Sequence, residues 1–211
     1  IEVATDQLLA IAGEAGLPID LHTDETLDEH VLGLEYLADR VLATGFPHPV
    51  TASHCLSLGV QEEAVQRRVA EKVAQAGISV VVLPQTNLYL QGRSHPVRTP
   101  RGLTAIGALR AAGANVCAGA DNLQDPFNLV GKGDPFETAS LMVMAGHYLP
   151  IDAYEACSSK VREALAVPKV SIAAGSPAEL VAIRAASVRE AIAFQHHDRI
   201  TWHAGRVVRP D

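Results

Sequence analysis

The sequence contains few cysteines, and their number is odd: Cys55, Cys117 and Cys157. All three occur in largely apolar stretches, which is typical of buried thiols and not of a disulfide framework. Reduced, buried thiols are characteristic of proteins that work in a reducing compartment. We therefore expect a cytoplasmic protein.

A long hydrophobic run is also missing. No apolar stretch approaches the ~20 residues that a membrane-spanning helix needs, and the N-terminus lacks the basic and then apolar segments of a secretion signal. Both absences argue against a membrane protein. The chain begins at Ile1 and not at Met, in the middle of a helical pattern, so we expect the 211 residues to be a fragment.

An excess of positive charge is absent as well. The sequence has 17 Lys and Arg against 24 Asp and Glu, a formal net charge of −7, and the two signs are interspersed. No basic surface is therefore predicted, which argues against a nucleic-acid partner. The 48% hydrophobic content is ample for a globular core, so we expect a soluble protein with one large domain or a domain plus an appendage.

Short apolar runs alternate with amphipathic helical patterns through the first 168 residues. The runs at 17–21, 50–53, 78–83 and 115–118 predict four strands. Their ends recur at regular spacing, since His54 follows His22 by 32 residues, Pro84 follows His54 by 30, and Asp121 follows Pro84 by 37. A βα unit takes about 30 residues, so the pattern predicts parallel strands whose ends face one side.

Four βα units are half of a (β/α)₈ barrel, an architecture whose functional sites lie at the carboxyl ends of the strands. A half barrel would leave two unpaired edges, so the remaining strands must come from elsewhere. After residue 168 the pattern changes to short strands and turns, with a strand predicted at 179–183 and a hairpin at 200–208. We predict two regions, the barrel half at 1–168 and a small β appendage at 169–211.

Three residues of metal-binding type stand at the ends of predicted strands: His22, His54 and Asp121. Imidazole and carboxylate groups bind borderline metals such as Zn²⁺ and Fe²⁺. Taken singly, each histidine has a structural alternative as a hydrogen-bonded residue, and the aspartate has one as a helix cap. Their shared position at strand ends favours a common metal site.

Glu25 lies three residues beyond His22, close to anything that a metal at His22 would hold. A carboxylate in that position can take a proton from water and return it to a leaving group. The alternative is an acid favoured by the start of a helix, which fits Asp24 better. In the loop that follows the fourth strand, Asn122 and Phe127 are candidates to bind a planar polar ring, although both residue types are common in loops.

Five segments resemble the cytosine deaminase branch of the amidohydrolase superfamily. They are residues 21–25 (LHTDE), 50–54 (VTASH), 90–93 (LQGR), 115–122 (NVCAGADN) and 172–176 (IAAGS). The resemblance implies a distorted (β/α)₈ barrel with a small β-sandwich, in which these strands are the fifth to eighth.

The resemblance also implies one divalent metal ion, Zn or Fe, and a role for each candidate residue. It makes His22 a metal ligand, Asp121 a metal ligand and base, His54 the group that polarises or protonates the substrate, and Glu25 the proton shuttle. Metal-activated hydroxide would add to a ring carbon that bears an amino group, and ammonia would leave. The implied activity is hydrolytic deamination of cytosine or a similar nitrogen heterocycle.

The sequence departs from that family pattern in two ways. The family's His-x-His pair, which supplies further metal ligands, and its substrate-binding glutamine do not occur in these residues. We therefore expect an N-terminal barrel half outside this chain and no activity from the chain alone. At the fourth strand Ala120, Asp121 and Asn122 replace His-Asp-Asp, and Phe127 stands where the cytosine enzymes tend to have tryptophan.

The Ala-Asp-Asn sequence is more similar to relatives that hydrolyse N-alkylamino-s-triazines. The sequence thus leaves three functions open: deamination of cytosine or a similar ring, hydrolysis of N-alkylamino-s-triazines or related cyclic amides, and a non-catalytic barrel fragment that only binds a partner. A small heterocyclic substrate is the expected partner, and the oligomeric state, a homo-oligomer included, stays open.

Overall fold

Four parallel strands form the main sheet in the computed structural model, which describes residues 1–208. The strands, given with their bounds, are β1 (Ile19–Thr23), β2 (Val50–His54), β3 (Ser79–Val82) and β4 (Val116–Ala118). They lie side by side in chain order, and each neighbouring pair is parallel. The predicted α/β architecture with a parallel sheet is therefore confirmed, and all four strands end on one side.

Helices connect and cover these strands. They are α1 (Glu2–Ala15), α2 (Gly33–Thr44), α3 (Glu63–Gln75), α4 (Pro84–Leu90), α5 (Ile106–Ala111), α6 (Pro135–Met144), α7 (Pro150–Ala156) and α8 (Ser159–Ala164), with a 3₁₀ helix at Leu56–Val60. Apolar faces of α2 and α3, such as Leu37 and Val69, are buried in the same core as Val80 of β3. No helix within residues 1–208 has the length and apolar composition of a membrane-spanning segment.

The start of α2 differs from the sequence prediction. The pattern after Thr26 predicts a helix from that residue, but Thr26 only accepts a hydrogen bond from the backbone N–H of Asp28. The helix begins at Gly33, where the two oxygens of the buried Asp24 carboxylate accept the N–H groups of Gly33 and Leu34 at 2.9 Å each. Asp24 thus caps a helix, as expected, but the helix that it caps begins nine residues further along the chain.

Short helices account for other differences. The sequence pattern predicts that the third strand ends at Pro84. In the structure, helix α4 begins at this residue, directly after β3. The sequence pattern at 152–165 predicts one helix, but the structure divides it into α7 and α8. Asp134 before Pro135 is typical of a helix start, and the Asp134 side chain does cap α6 by accepting the N–H of Phe136.

The C-terminal part forms a separate antiparallel sheet. It consists of β5 (Leu180–Ile183), β6 (Arg199–His203) and β7 (Arg206–Val208), with α9 (Val188–Phe194) between the first two strands. The hairpin of β6 and β7 was predicted, whereas α9 was not. Arg199 of β6 donates two hydrogen bonds to the Asp134 carboxylate, at 3.1 and 2.7 Å. The last three residues of the predicted appendage, 209–211, lie outside the described residues.

The cysteines are free thiols. Cys55 and Cys117 are buried and Cys157 is half-buried. Burial raises the pKa of the Cys117 and Cys157 thiols to about 12. These thiols are therefore neutral at ordinary pH, which agrees with a packing role.

A cluster of charged residues joins α2 to α3. Both oxygens of Glu35 accept hydrogen bonds from Arg68 at 2.9 Å, and Lys72 donates to one of them at 2.9 Å. The Arg68 hydrogen bonds lower the pKa of Glu35 from 4.5 to about 2, with help from Lys72 and against the effect of burial. Because the pKa in the folded state is the lower one, the stabilisation is complete above pH 4.5 and is lost as the pH falls toward 2.

Glu35→Gln is expected to destabilise the protein at pH 7 by on the order of 1 kcal/mol. This free energy is smaller than the full pKa shift implies, because Arg68 and Lys72 are partly exposed and solvent screens their charges. The difference from the native protein should shrink as the pH is lowered from 4.5 toward 2, as measured by urea unfolding. Glu71→Gln, at an exposed position of α3, is the control and should have little effect. A difference that stays constant with pH would contradict the assignment.

Candidate functional site

His22, Glu25 and His54 converge at the carboxyl end of the parallel sheet. One ligand atom from each lies within 4.8 Å of the others. His22 Nδ1 is 3.2 Å from His54 Nε2, and the ring centroids are 5.0 Å apart. The residues that the sequence placed at the ends of neighbouring strands are therefore in direct contact.

The backbone at the strand ends brings the two rings together. In the register of β1 and β2, His22 lies opposite Ser53, so strand alternation alone would direct His54 to the other face. His54, however, has a positive φ of 68°, and Asp24 and Asp121 at neighbouring strand ends have φ values of 50° and 69°. A left-handed backbone is uncommon for residues other than glycine, and such strain concentrates at functional sites.

His54 is the buried member of the cluster, with 1% of its surface exposed. Its Nδ1 lies 3.0 Å from the Asn87 amide nitrogen and 3.8 Å from Glu25 Oε1, and its Nε2 lies 4.0 Å from Asp121 Oδ2. Burial lowers the pKa of His54, against the opposing effects of Glu25 and Asp121 and with that of His22. Burial is therefore the largest effect on the pKa of this imidazole, which lies between two carboxylates.

Asp121 reaches the same site from the end of β4. Its carboxylate approaches His54 Nε2, and 22% of its side chain is exposed. Within residues 1–208, however, the tightest group of metal-type donors consists of His22, Glu25 and His54 and does not include Asp121. The expected pairing of His22 and Asp121 as ligands stays a prediction.

Asn122 and Phe127 are in the loop that follows Asp121, but their side chains are used differently. The Asn122 amide accepts a hydrogen bond from Thr86 Oγ1 at 2.9 Å and donates one to Asp125 Oδ2 at 2.7 Å. Both ends of the amide therefore bind the protein itself. Phe127 is 54% exposed, and its backbone N–H donates to Asp125 Oδ1 at 2.8 Å. Substrate binding by either residue stays a prediction.

Helix α4 contributes two contacts that the sequence analysis missed. Asn87 contacts His54 of β2, and the hydroxyl of its neighbour Thr86 donates to Asn122 Oδ1 beyond β4 at 2.9 Å, with the Ala120 carbonyl oxygen also near it at 3.2 Å. The sequence suggested no functional residue after the third strand, because that strand end carries no histidine or acid. The third strand lies between two strands that end in candidate residues, and this position could have indicated that its own end also contributes to the site.

The donor atoms at this site fit a divalent metal ion. Two imidazoles and two carboxylates are the ligand types that zinc and ferrous iron accept. A further imidazole, His54, has its Nε2 at 3.2 Å from His22 Nδ1, so it lies beside the place where such an ion would be held. These residue types do not distinguish zinc from iron.

Comparisons with known proteins agree with these observations. Residues 2–209 match the profile of the Amidohydrolase family. A pterin deaminase from Rhizobium rhizogenes (strain K84 / ATCC BAA-868) is 41% identical over 213 residues, which cover 99% of this chain and 48% of that protein. The chain therefore spans about half the length of this curated relative.

Two solved structures are similar over nearly the whole chain. The 5-methylcytosine deaminase from Klebsiella pneumoniae liganded with 5-fluorocytosine is 27% identical, with a TM-score of 0.91, and the match covers 100% of this chain and 52% of that one. The N-isopropylammelide isopropylaminohydrolase from Burkholderia multivorans ATCC 17616 is 26% identical, with a TM-score of 0.77 and coverage of 98% and 51%.

Proposed function

Because this chain belongs to the amidohydrolase family, we propose that the protein hydrolyses a C–N bond and removes an amino group from a nitrogen heterocycle. The observation that carries the proposal is the convergence of His22, Glu25 and His54 within 4.8 Å at the carboxyl end of a parallel sheet. A pterin deaminase and a 5-methylcytosine deaminase among the similar proteins support the reaction class.

The proposed architecture is a (β/α)₈ barrel of which this chain forms half. Residues 1–168 then form the barrel half, in which β1 to β4 are the fifth to eighth strands of the barrel. Residues 169–211 contribute strands to a β-sandwich. The chain-ordered parallel sheet supports this arrangement, as does the superposition on 52% of the 5-methylcytosine deaminase chain. Further metal ligands would come from a His-x-His pair outside these 211 residues.

In the proposed mechanism, His22 and Asp121 would hold the metal ion. A divalent ion bound there would lower the pKa of a water molecule in the site. His54, buried and neutral, donates a hydrogen bond to the substrate ring. Glu25 takes a proton from the attacking water and delivers it to the leaving nitrogen, so that ammonia departs. The Glu25 side chain is 42% exposed, and its Oε1 lies 3.8 Å from His54 Nδ1, which supports a role in moving protons at this site.

For the substrate, the similarity favours a pterin over cytosine. Identity is 41% to the pterin deaminase, against 27% and 26% to the cytosine and triazine enzymes. A pterin carries its amino group on a carbon between two ring nitrogens, whereas the amino carbon of cytosine has one ring nitrogen beside it. Isocytosine has the pterin arrangement in a single ring, so it separates the position of the amino group from the size of the substrate.

Ammonia release should be measured with the full-length, metal-loaded protein on pterin, isocytosine, cytosine and an N-alkylamino-s-triazine, with alkylamine release as the readout for the last. We expect the highest kcat/KM on pterin, and loss of activity after treatment with a chelator. Preference for cytosine or the triazine would replace the proposed substrate. No turnover of any of them would favour the non-catalytic binding role.

A further inference from the structure

Asn87 is a fully buried polar residue next to the site. It lies in the first turn of α4, directly beyond β3, and none of its surface is exposed. Its amide nitrogen is 3.0 Å from His54 Nδ1, whereas its amide oxygen has no hydrogen-bond partner within the described residues. Burying an amide with one unpaired end is costly, so an apolar side chain would be the simpler choice for packing alone.

The contact indicates which nitrogen of His54 carries the proton. An amide N–H can only donate, so Nδ1 must accept, and a neutral imidazole then has its proton on Nε2. The Glu25 carboxylate would favour the opposite tautomer, but at 3.8 Å it is beyond hydrogen-bond distance. The described contacts therefore favour Nε2–H.

The Nε2 side of the ring faces the two expected metal ligands. His22 Nδ1 lies 3.2 Å from Nε2, and Asp121 Oδ2 lies 4.0 Å from it. A proton on Nε2 makes His54 a donor toward these groups and toward any ligand bound between them. With the proton on Nδ1, the ring could only accept hydrogen bonds on that side.

The position of Asn87 is fixed by its helix. Its backbone N–H donates to the Leu83 carbonyl at 3.0 Å, and its carbonyl accepts from Gln91 at 2.9 Å. The preceding residue, Thr86, hydrogen-bonds to Asn122. One turn of α4 therefore holds both the end of β2 and the loop after β4.

We propose that Asn87 is a positioning residue that keeps His54 in the Nε2–H tautomer, so that His54 donates a hydrogen bond to the bound heterocycle. The tautomer is inferred from the contact of the Asn87 amide nitrogen with His54 Nδ1. The effect on the substrate rests on the proposed function.

The first test is a ¹⁵N NMR spectrum of the zinc-loaded, full-length protein labelled at histidine, with the His54 signals identified by their loss in His54→Gln. We expect the shifts of a protonated Nε2 and an unprotonated Nδ1. Protonation on Nδ1 in the native protein would overturn the proposal, whatever the activity. This measurement needs no Asn87 variant and no known substrate.

The second test is Asn87→Asp, which has the same shape but offers Nδ1 an acceptor. We expect protonation of Nδ1 and a fall in kcat of about 10- to 100-fold, the range found for losing the hydrogen-bond partner of a metal-bound histidine, with KM changed much less. Asn115→Asp is the matched control, because Asn115 lies at the amino end of β4 and binds Ser79 and Lys160. A native-like tautomer and kcat in Asn87→Asp would overturn the proposal.

Discussion

Glu25→Gln is expected to lower the turnover of the full-length, metal-loaded protein by on the order of 10²-fold or more, with the metal retained. Glutamine keeps the shape of the side chain but cannot accept and release a proton at ordinary pH. Glu25 suits this role because its carboxylate reaches solvent and also lies 3.8 Å from the buried His54. Steady-state kcat and the metal content of the purified variant should be measured together.

The control for this variant is Glu29→Gln. Glu29 is an exposed acid four residues further on. It accepts a hydrogen bond from Gln61 through its backbone carbonyl, so a change of its side chain leaves this contact in place. We expect native turnover from the control. Unchanged turnover in Glu25→Gln would remove Glu25 from the mechanism, and loss of metal would reassign it as a ligand.

The parallel sheet and the pairing of His22 with His54 could be predicted from the sequence. Apolar runs bounded by helical patterns at spacings of about 30 residues specify βα units, since crossover geometry allows few alternatives. Residues at the ends of consecutive strands must then meet at one edge. The strand bounds moved by one or two residues, which does not affect this conclusion.

The helix starts could not be predicted so well, because a tertiary contact decided one of them. Thr26 and Glu29 form the local pattern of a helix cap, yet α2 begins at Gly33, where the Asp24 carboxylate accepts two backbone N–H groups. A contact between residues nine and ten positions apart leaves no periodic signal. The sequence could assign different roles to Asp24 and Glu25. It could not locate the helix that Asp24 caps, because the contact is not local.

The polar contacts behind the site were also beyond the sequence analysis. Asn87 and Thr86 act on His54 and Asn122 across the sheet, and their residue types are common in any turn. The left-handed backbone at His54 is equally invisible, since nothing in the sequence marks a histidine for positive φ. Strand spacing therefore predicts which residues gather, and the structure adds how their rings are oriented and which atoms face each other.

The Asn122 amide illustrates the limit of reading a role from residue type. The sequence favours a contact with the substrate ring, but Thr86 and Asp125 occupy both ends of this amide. In this arrangement Asn122 orders the loop that begins at Asp121. A substrate contact would require one of these two hydrogen bonds to be exchanged.

His22→Ala is expected to cost the protein its metal ion and with it all measurable turnover. Removal of a ligand should weaken metal binding by more than the roughly 10- to 100-fold that loss of a ligand's hydrogen-bond partner costs. The measurement is metal content after dialysis, with His48→Ala as the control, because His48 precedes β2 at the opposite end of the sheet and contacts Phe46. A His22→Ala protein that keeps one metal ion per chain would contradict the assignment.

The same measurement on His54→Ala tests the proposed division of roles within the cluster. Distances alone group His54 with His22 and Glu25 as metal-type donors. If His54 instead donates a hydrogen bond to the substrate, its loss should abolish turnover and leave the metal in place. Loss of metal from both His22→Ala and His54→Ala would make His54 a metal ligand. Asn87 would then orient a metal ligand, and the proposed hydrogen bond from His54 to the substrate would be wrong.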